Sequence, residues 1–344
     1  MSSAPEKQDT TARQDSPRKP LLSVRDLEVQ FRTDHGPATA VGGVNFELYS
    51  GEMLGLVGES GSGKTVTALS VMRLIPDPPG KITGGKVLFE DIDLLQLTYS
   101  QMRRIRGKKI AMIFQEPMTA LNPVFSIGMQ VMETVRTHEK VTRKEAFERA
   151  VDMLTAVGIP DARKRMGDYP HQFSGGMRQR VMIALALVCH PQILVADEPT
   201  TALDVTTQAQ IMDLMIELNQ KREAAAILLI THDLAVVAET CQRVIVMYGG
   251  RVQESGTTEH IFNSPRHPYT QGLLRSLPGP HQKPKSRLNA IAGNVPSILD
   301  MPTGCRFCTR CPDVMDRCHR EEPPLHALAN GQLVRCHLLE EEAT

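Results

Sequence analysis

Short apolar runs alternate with amphipathic stretches along most of the chain. Two early segments, LLSVRDLEVQF and AVGGVNFEL, alternate apolar and polar positions, which is typical of half-exposed strands in an antiparallel layer. Four later runs, EMLGLVG, KIAMIFQ, QILVADEP and AAILLITH, are almost continuously apolar, as strands covered on both faces are. Helical patterns at 143–157, 176–189 and 204–221 separate them. The pattern therefore predicts an α/β fold with a parallel core sheet and an antiparallel edge layer.

The composition and the residue pattern of the chain change after residue 250. The segment RVIVMYGGRVQESG predicts a hairpin that turns at Gly249 and Gly250. From about residue 264 the segment NSPRHPYTQGLLRSLPGPHQKPKS is rich in proline and histidine, and we interpret it as a linker into a small extension that carries cysteines. The polar N-terminus is typical of a disordered leader. The predicted organisation is a leader at 1–20, a main domain at 21–263 and the extension at 264–344.

Composition narrows the classes of function. The 344 residues include 39 basic and 39 acidic side chains, so no net field attracts nucleic acid or an acidic lipid surface. No run of about 18 apolar residues predicts a membrane span, and the N-terminus lacks the apolar region of a secretory signal. We therefore expect a protein of the reducing cytosol, where structural disulfides are rare and clustered cysteines are more often metal ligands.

The segment GESGSGKT lies between a predicted strand and a predicted helix. Its residues are Gly58, Glu59, Ser60, Gly61, Ser62, Gly63, Lys64 and Thr65. Glycines let the backbone wrap its N–H groups around phosphate oxygens, and the helix N-terminus favours the anion. Lys64 would reach the β- and γ-phosphates, and the Thr65 hydroxyl can ligate Mg²⁺. The segment predicts a nucleotide site, and the alternative is a glycine-rich turn that matches by chance.

The strand ILVADEP ends in two acidic residues, Asp197 and Glu198. In P-loop enzymes an Asp at such a strand end holds the Mg²⁺ shell, and a neighbouring group orients the attacking water. Asp197 is the candidate metal residue and Glu198 the candidate general base. Taken alone, such a pair is more often a solvated strand end, and the upstream segment GESGSGKT, which has the pattern of a P-loop, reverses that expectation.

The segment FSGGMRQR predicts a second anion site, because Ser174, Gly175 and Gly176 open a helix with free amides and a hydroxyl. With the P-loop and LVADEPTTALD, the segment resembles the ATP-binding subunit of an ABC transporter. In that family the Ser-Gly-Gly element of one subunit completes the ATP site of the other, so the resemblance implies a head-to-tail dimer over two ATP molecules. Phe173 and Met177 depart from the commonest leucine and glutamine of this signature.

The resemblance also implies a P-loop (RecA-like) core, an antiparallel β subdomain and a helical insertion at about 116–174. It places the catalytic roles on Glu198, His232 and Lys64. It places further ATP contacts at Phe31, Gln115, Gln179 and Asp204, with Mg²⁺ held by Thr65, Gln115 and Asp197. The alternative for Phe31 is a core residue at a strand end, and the alternative for His232 is a capping or core residue.

The subfamily is indicated by GESGSGKTVTALSVMRL, MIFQEPMTALNPVFSIG, YPHQFSGGMRQRVMIALAL and SPRHPYTQGLLRSLP, which are similar to oligopeptide and dipeptide importers. The resemblance implies an ATP-hydrolysing subunit that lies at the cytoplasmic face of the membrane. Its implied partners are two permease subunits, docked on the helical insertion, and a second ATPase subunit, either a paralogue or another copy. A substrate-binding protein outside the membrane would take part indirectly.

Three other functions compete with peptide import. Nickel or other small-solute importers belong to the same subfamily. A soluble ABC ATPase that acts on ribosomes or DNA usually has two cassettes, a coiled coil or a basic surface, and the sequence shows none of these. A metal-sensing regulator built around the cysteine-rich tail would not explain a full set of ATPase motifs.

The tail GCRFCTRCPDVMDRC concentrates the cysteines of the chain. Its spacing admits an iron–sulfur cluster on Cys305, Cys308, Cys311 and Cys318, while a zinc site lacks a second two-cysteine knuckle. The family resemblance implies a different set for a [4Fe-4S] cluster, with Zn²⁺ as the alternative. That set is Cys305, Cys311, Cys318 and Cys336, and it leaves Cys308 as a free or substitute thiol. A structural role for the cluster is favoured, and redox sensing is the second hypothesis.

Overall fold

The computed structural model describes residues 19–115, 120–200, 205–221, 225–277 and 291–339. Twelve strands are found in these ranges. In chain order they are β1 (Leu22–Thr33), β2 (Gly36–Leu48), β3 (Met53–Val57), β4 (Gly80–Phe89), β5 (Ile92–Asp93), β6 (Ile110–Ile113), β7 (Ile193–Asp197), β8 (Ala226–Thr231), β9 (Arg243–Tyr248), β10 (Arg251–Thr257), β11 (His326–Ala327) and β12 (Leu333–Val334). They form two sheets.

The edge layer that the alternating segments predict is an antiparallel sheet in the order β2-β1-β4-β5. In β1, Leu27 and Val29 are buried and Glu28 between them is exposed. One face of this sheet therefore covers the core and the other meets solvent, as alternation requires. The predicted antiparallel β subdomain is confirmed.

The larger sheet has the order β11-β12-β10-β9-β3-β8-β7-β6. The five strands from β9 to β6 are parallel, and four of them are the continuous apolar runs of the sequence. Their side chains alternate between two cores because successive residues of a strand point to opposite faces. Val195 and Leu228 pack toward the antiparallel sheet, and Leu194 and Leu229 pack toward the helices on the other side.

Ten α-helices occur in the described ranges. They are α1 (Lys64–Val71), α2 (Tyr99–Ile105), α3 (Ile127–His138), α4 (Arg143–Ala156), α5 (Ala162–Arg165), α6 (Gly175–Leu187), α7 (Val205–Lys221), α8 (Leu234–Thr240), α9 (Thr258–Asn263) and α10 (Pro268–Arg275). The helical patterns predict α4, α6 and α7 to within two residues at each end. Thr142 and Glu145 form a capping box that fixes the start of α4. Helices α3 to α5 fill the segment of the predicted insertion.

The segment predicted to be a linker after residue 264 is instead packed against the main sheet. His267 caps α10, and its side chain and that of Tyr269 are almost completely buried. Glu254 of β10 explains this arrangement, since its carboxylate accepts the backbone N–H groups of Arg266 and His267 at 2.8 and 3.0 Å. Proline and histidine here start and cap a helix, so the prediction of a linker is wrong for residues 265–277.

The extension also continues the large sheet. Strand β12 pairs with β10, and β11 pairs with β12, both antiparallel. The hairpin predicted at Gly249 and Gly250 joins β9 to β10, and both glycines have positive φ, 55° and 77°. A helix with the length and apolarity of a membrane span does not occur in the part of the chain that the structure describes.

Candidate nucleotide site and the cysteine-rich segment

A cavity of about 550 Å³ opens beside the P-loop. Three parts of the chain line it: the P-loop with the start of α1, the edge sheet around Phe31, and a segment of the extension at 295–301. Gln115 and Glu198 reach the same cavity from the ends of β6 and β7. The carboxyl ends of neighbouring parallel strands meet at one edge of a sheet, which brings residues far apart in sequence to one place.

The P-loop turns sharply out of β3 and into α1. Gly58, Gly61 and Gly63 have positive φ, and a Cβ at Gly58 would lie 2.2 Å from the carbonyl oxygen of Met247. Glycine at position 58 is therefore required by the approach of the neighbouring strand as well as by the turn. The loop leaves α1 without a side-chain cap, so its first N–H groups are available to a phosphate.

Lys64 is almost completely buried, and its ammonium lies within the curl of the P-loop. Its Nζ donates to the carbonyl oxygens of Gly58 and Glu59 at 2.8 and 2.9 Å and to Ser62 Oγ at 3.4 Å. Burial lowers the pKa of Lys64, and the carboxylates of Glu198, Asp197 and Glu59 oppose that shift. A buried cation held by oxygen atoms of the loop is suited to bind a polyphosphate.

Thr65 and Asp197, two of the three residues predicted to hold Mg²⁺, lie together, and the third, Gln115, contacts Glu198. Thr65 Oγ1 donates to Asp197 Oδ1 at 3.2 Å. Asp197 is 2% exposed, and burial raises the pKa of its carboxyl to about 6, while the Thr65 hydroxyl and Lys64 oppose the shift. A hydroxyl and a carboxylate are ligands that Mg²⁺ prefers, so these residues fit the ion.

Glu198 follows β7 in a left-handed conformation, with φ 46°. One carboxylate oxygen accepts Gln115 Nε2 at 3.0 Å, and the other lies 3.4 Å from His232 Nδ1. The fold thus brings together three predicted residues from the ends of three neighbouring strands. A carboxylate held between an amide and an imidazole at the cavity is placed to orient a water molecule.

The Ser-Gly-Gly element lies on another part of the surface. Ser174 caps α6 and accepts the N–H of Met177 at 3.3 Å, and Ser174 and Gly175 are exposed. Neither they nor Gly176 line the cavity of their own chain.

Gln179, one turn further, is buried and donates to the carbonyl oxygen of Pro199, so the structure does not bring it to the surface with Ser174. Asp204 lies outside the described residues.

The extension contributes residues that sequence reasoning missed. Val295, Pro296, Ser297, Ile298 and Met301 line the cavity, and Arg310 contacts the P-loop. The segment NVPSILDM has neither the alternation of a strand nor the period of a helix, and no glycine or charge pattern marks it as part of a nucleotide site. Only the fold shows its place.

The cysteines of the tail are free thiols, and Cys305, Cys308, Cys318 and Cys336 are buried. The backbone N–H of Cys305 donates to the carbonyl oxygen of Cys318 at 2.8 Å. Burial raises the pKa of Cys305 to about 12, with smaller contributions from Cys318 and Cys336. Among the described residues, however, no three or more Cys, His, Asp or Glu side chains are placed to hold one metal ion. The predicted cluster set of Cys305, Cys311, Cys318 and Cys336 is thus not assembled as a ligand group, and neither an iron–sulfur cluster nor Zn²⁺ is supported.

Comparison with known proteins finds two matching families and close relatives. The ABC transporter family matches residues 41–201, and the family described as the C-terminal region of oligopeptide/dipeptide transporters matches residues 253–318. The dipeptide transport ATP-binding protein DppD of Haemophilus influenzae is 51% identical over 92% of this chain and 95% of its own length. The oligopeptide transport ATP-binding protein AppD of Bacillus subtilis is 51% identical over 94% of this chain and 98% of its own length.

A solved structure with a similar fold contains a bound nucleotide. It is the dimeric post-hydrolysis state of the ATP-binding cassette MJ0796 with ADP and Pi bound, 28% identical, with a TM-score of 0.62 over 69% of this chain and 98% of that one. The sequence matches and this fold likeness together carry the conclusion. The chain belongs to the ABC transporter family, as an ATP-hydrolysing cassette followed by the C-terminal region found in oligopeptide and dipeptide transporters.

Proposed function

We propose that the chain hydrolyses ATP to drive import of dipeptides or oligopeptides through separate membrane subunits. The observation that carries the proposal is the placement of Lys64, Thr65 and Glu198 on one cavity, with Asp197 hydrogen-bonded to Thr65, in a chain about half identical to peptide transport ATP-binding proteins. A nickel importer of the same subfamily is the second candidate, and no described residue favours it.

In this function each residue has a separate task. The P-loop amides and Lys64 bind the β- and γ-phosphates, and Thr65 and Asp197 would hold Mg²⁺, which supplies charge neutralisation when bound. Glu198 accepts the proton of the attacking water. Gln115 and His232 hold the two oxygens of that carboxylate and so orient it.

A Glu198→Gln variant tests the catalytic role. It keeps the shape and the contact with Gln115 but removes the base, so we expect ATP binding to persist while kcat falls by roughly 10²- to 10⁴-fold with the partner subunits present. Glu239→Gln is the matched control, because Glu239 is exposed on α8. Hydrolysis by Glu198→Gln at the wild-type rate would overturn the assignment.

We further propose that two cassettes close head to tail over ATP, this chain with a paralogue or with a second copy. The exposed helix start at Ser174, away from the cavity of its own chain, supports this arrangement. In sedimentation with ATP and Mg²⁺, the Glu198→Gln chain should form a dimer, alone or with a paralogous cassette. Adding Ser174→Arg should abolish it, since a bulky cation then meets the interface. If the chain that carries both Glu198→Gln and Ser174→Arg still forms a dimer, alone and with the paralogous cassette, that result would count against this geometry.

The membrane subunits are proposed to dock in a groove of about 1270 Å³ between α3 and α4. Its wall includes Phe125, Met129, Met132 and Phe147, and Phe125 and Met129 are 43% and 53% exposed. Exposed apolar side chains at this density are typical of a protein interface. Met129→Glu should abolish co-purification with the permeases and leave ATP binding intact, whereas retention of the permeases would argue for another docking face. This docking would place the chain at the cytoplasmic face of the membrane.

Peptide as the substrate is tested by uptake in reconstituted vesicles that contain the permeases and the binding protein. ATP-dependent accumulation of a labelled dipeptide, and its loss with Glu198→Gln, are the expected results. Accumulation of nickel in place of the peptide would support the second candidate.

The iron–sulfur cluster on Cys305, Cys311, Cys318 and Cys336 stays a prediction. Its test is visible absorbance and iron content in protein purified without oxygen, followed by separate replacement of Cys308 and Cys336 with Ser. If the purified protein contains one equivalent of zinc and no iron, the site binds zinc and the cluster prediction is wrong.

A further inference from the structure

The extension touches the P-loop through one side chain. Arg310 lies between Cys308 and Cys311, and its guanidinium forms a two-point ion pair with Glu59, with Nη1 at 2.5 Å from Oε2 and Nη2 at 3.1 Å from Oε1. The Arg310 side chain is only 4% exposed, and that of Glu59 is 29% exposed. A two-point contact of this kind fixes both the distance and the orientation of the carboxylate.

The remaining contacts of the guanidinium hold it in place from three directions. Arg310 Nε donates to the carbonyl oxygen of Ala292 at 3.0 Å, and Nη2 lies 3.5 Å from that of Ile291, just before the segment 295–301 that lines the cavity. Nη1 also lies 3.4 Å from Tyr248 Oη, at the end of β9. One buried cation therefore joins the P-loop, the residues that lead into the cavity wall, and the main sheet.

Glu59 transmits this position to the phosphate-binding lysine. Its backbone N–H donates to Tyr269 Oη at 2.9 Å, and its carbonyl oxygen accepts Lys64 Nζ at 2.9 Å. The side chain, the N–H and the carbonyl of a single P-loop residue are thus all engaged, two of them by residues that follow the cassette core. Glu59 is therefore one of the P-loop residues that hold the Lys64 ammonium in place.

A second contact supports the same side of the loop. Arg306 Nη1 donates to the carbonyl oxygen of Gly249 at 3.1 Å, and the next residue, Gly250, donates its N–H to the carbonyl oxygen of Ser62 at 3.0 Å. Phe307, between the two arginines, is buried against Tyr248 and Tyr269 with ring centroids 5.2 Å apart in each case. The segment from Arg306 to Arg310 therefore supports the P-loop through buried packing and hydrogen bonds.

We propose that Arg310 is a positioning residue of the nucleotide site, which holds the P-loop through Glu59 in the conformation that receives the phosphates of ATP. The extension is then a structural part of the ATP site. Without Arg310 the Glu59 carboxylate turns to solvent, the loop samples other conformations, and binding must order it at the expense of affinity. The proposal rests on the nucleotide site described above.

The test is a double-mutant cycle on ATP·Mg²⁺ affinity in the full chain, with Arg310→Gln, Glu59→Gln and both together. Each single variant should raise the Kd about tenfold, which corresponds to about 1.4 kcal/mol, and the double variant should bind no more weakly than either. Arg310→Lys should fall between, since lysine keeps the charge and loses the two-point contact. The control is Arg317→Gln, because Arg317 pairs with Glu321 on the exposed side of the extension.

Steady-state kinetics separate positioning from a general loss of folded protein. Positioning predicts a higher KM for ATP in Arg310→Gln with kcat within about twofold of wild type, whereas a smaller folded fraction lowers kcat and leaves KM unchanged. Unchanged KM, or Kd effects that simply add in the cycle, would refute the proposal. If Arg310→Gln does not fold, the same comparison of KM and kcat is made with Glu59→Gln and Arg310→Lys, and an unchanged KM in these variants refutes the proposal. A wild-type chain that binds no ATP would refute the nucleotide site itself, which is a different outcome.

Discussion

Phe307 offers a direct test of whether the extension and the cassette share one core. Its side chain is 1% exposed, and its ring lies 5.2 Å from the rings of Tyr248 and Tyr269 and 5.9 Å from that of His267. Replacing a buried phenylalanine with alanine costs about 3–5 kcal/mol in transfer and cavity energy. Three aromatic neighbours cannot collapse easily into the space, so we expect Phe307→Ala to fall in the upper half of that range.

The measurement is unfolding in urea followed by far-UV circular dichroism, since the chain has no tryptophan. Phe307→Leu keeps most of the volume and should cost about 1–1.5 kcal/mol. Phe125→Ala is the control, because Phe125 is 43% exposed and its loss should cost less than about 0.5 kcal/mol. A shared core predicts that Phe307→Ala shifts the main transition. A separate early transition, or a loss below about 1 kcal/mol, would show that the extension folds apart from the cassette.

Three further predictions concern the P-loop, the metal site and pH. Gly58→Ala should weaken ATP binding more than about tenfold in equilibrium titration, because the added Cβ meets the Met247 carbonyl oxygen. Thr65→Val keeps the volume but removes the hydroxyl that faces Asp197, so hydrolysis should need more Mg²⁺ for half-maximal rate. Burial lowers the pKa of His267 to about 3, below its unfolded value of about 6.5, so its stabilising contribution is full above about pH 6.5 and declines as pH falls. At about pH 5.5 that loss is about 1.4 kcal/mol in urea unfolding and should be smaller in His267→Asn.

The nucleotide site is the part of the molecule that the sequence predicts best. Residues 58–65 are contiguous, so their order alone dictates a strand, a glycine turn and a helix start. An apolar run followed by two acids is a local signal, and it predicts the strand end at Asp197 and Glu198 that the structure shows. That Glu198 lies between Gln115 and His232 is a property of the sheet order, in which β6, β7 and β8 are neighbours.

The extension is the part that the sequence predicts least well. Its histidine and prolines suggest a linker, yet the buried Glu254 of β10 gathers this segment through backbone N–H groups. No local sequence pattern predicts that a glutamate in a strand will accept hydrogen bonds from backbone N–H groups about 12 residues later. The same holds for the cysteines, where the spacing favours one ligand set, the family resemblance implies another, and the described residues assemble neither.

By itself, the sequence determined the elements and the chemistry of the cassette, because periodicity, turn glycines and paired acids act over a few residues. Only the tertiary structure decided that the extension closes one wall of the nucleotide cavity and that Arg310 holds Glu59. Arg310 and Glu59 are 251 positions apart, and the energy of their contact comes from burial and charge pairing that exist only after the sheet has formed.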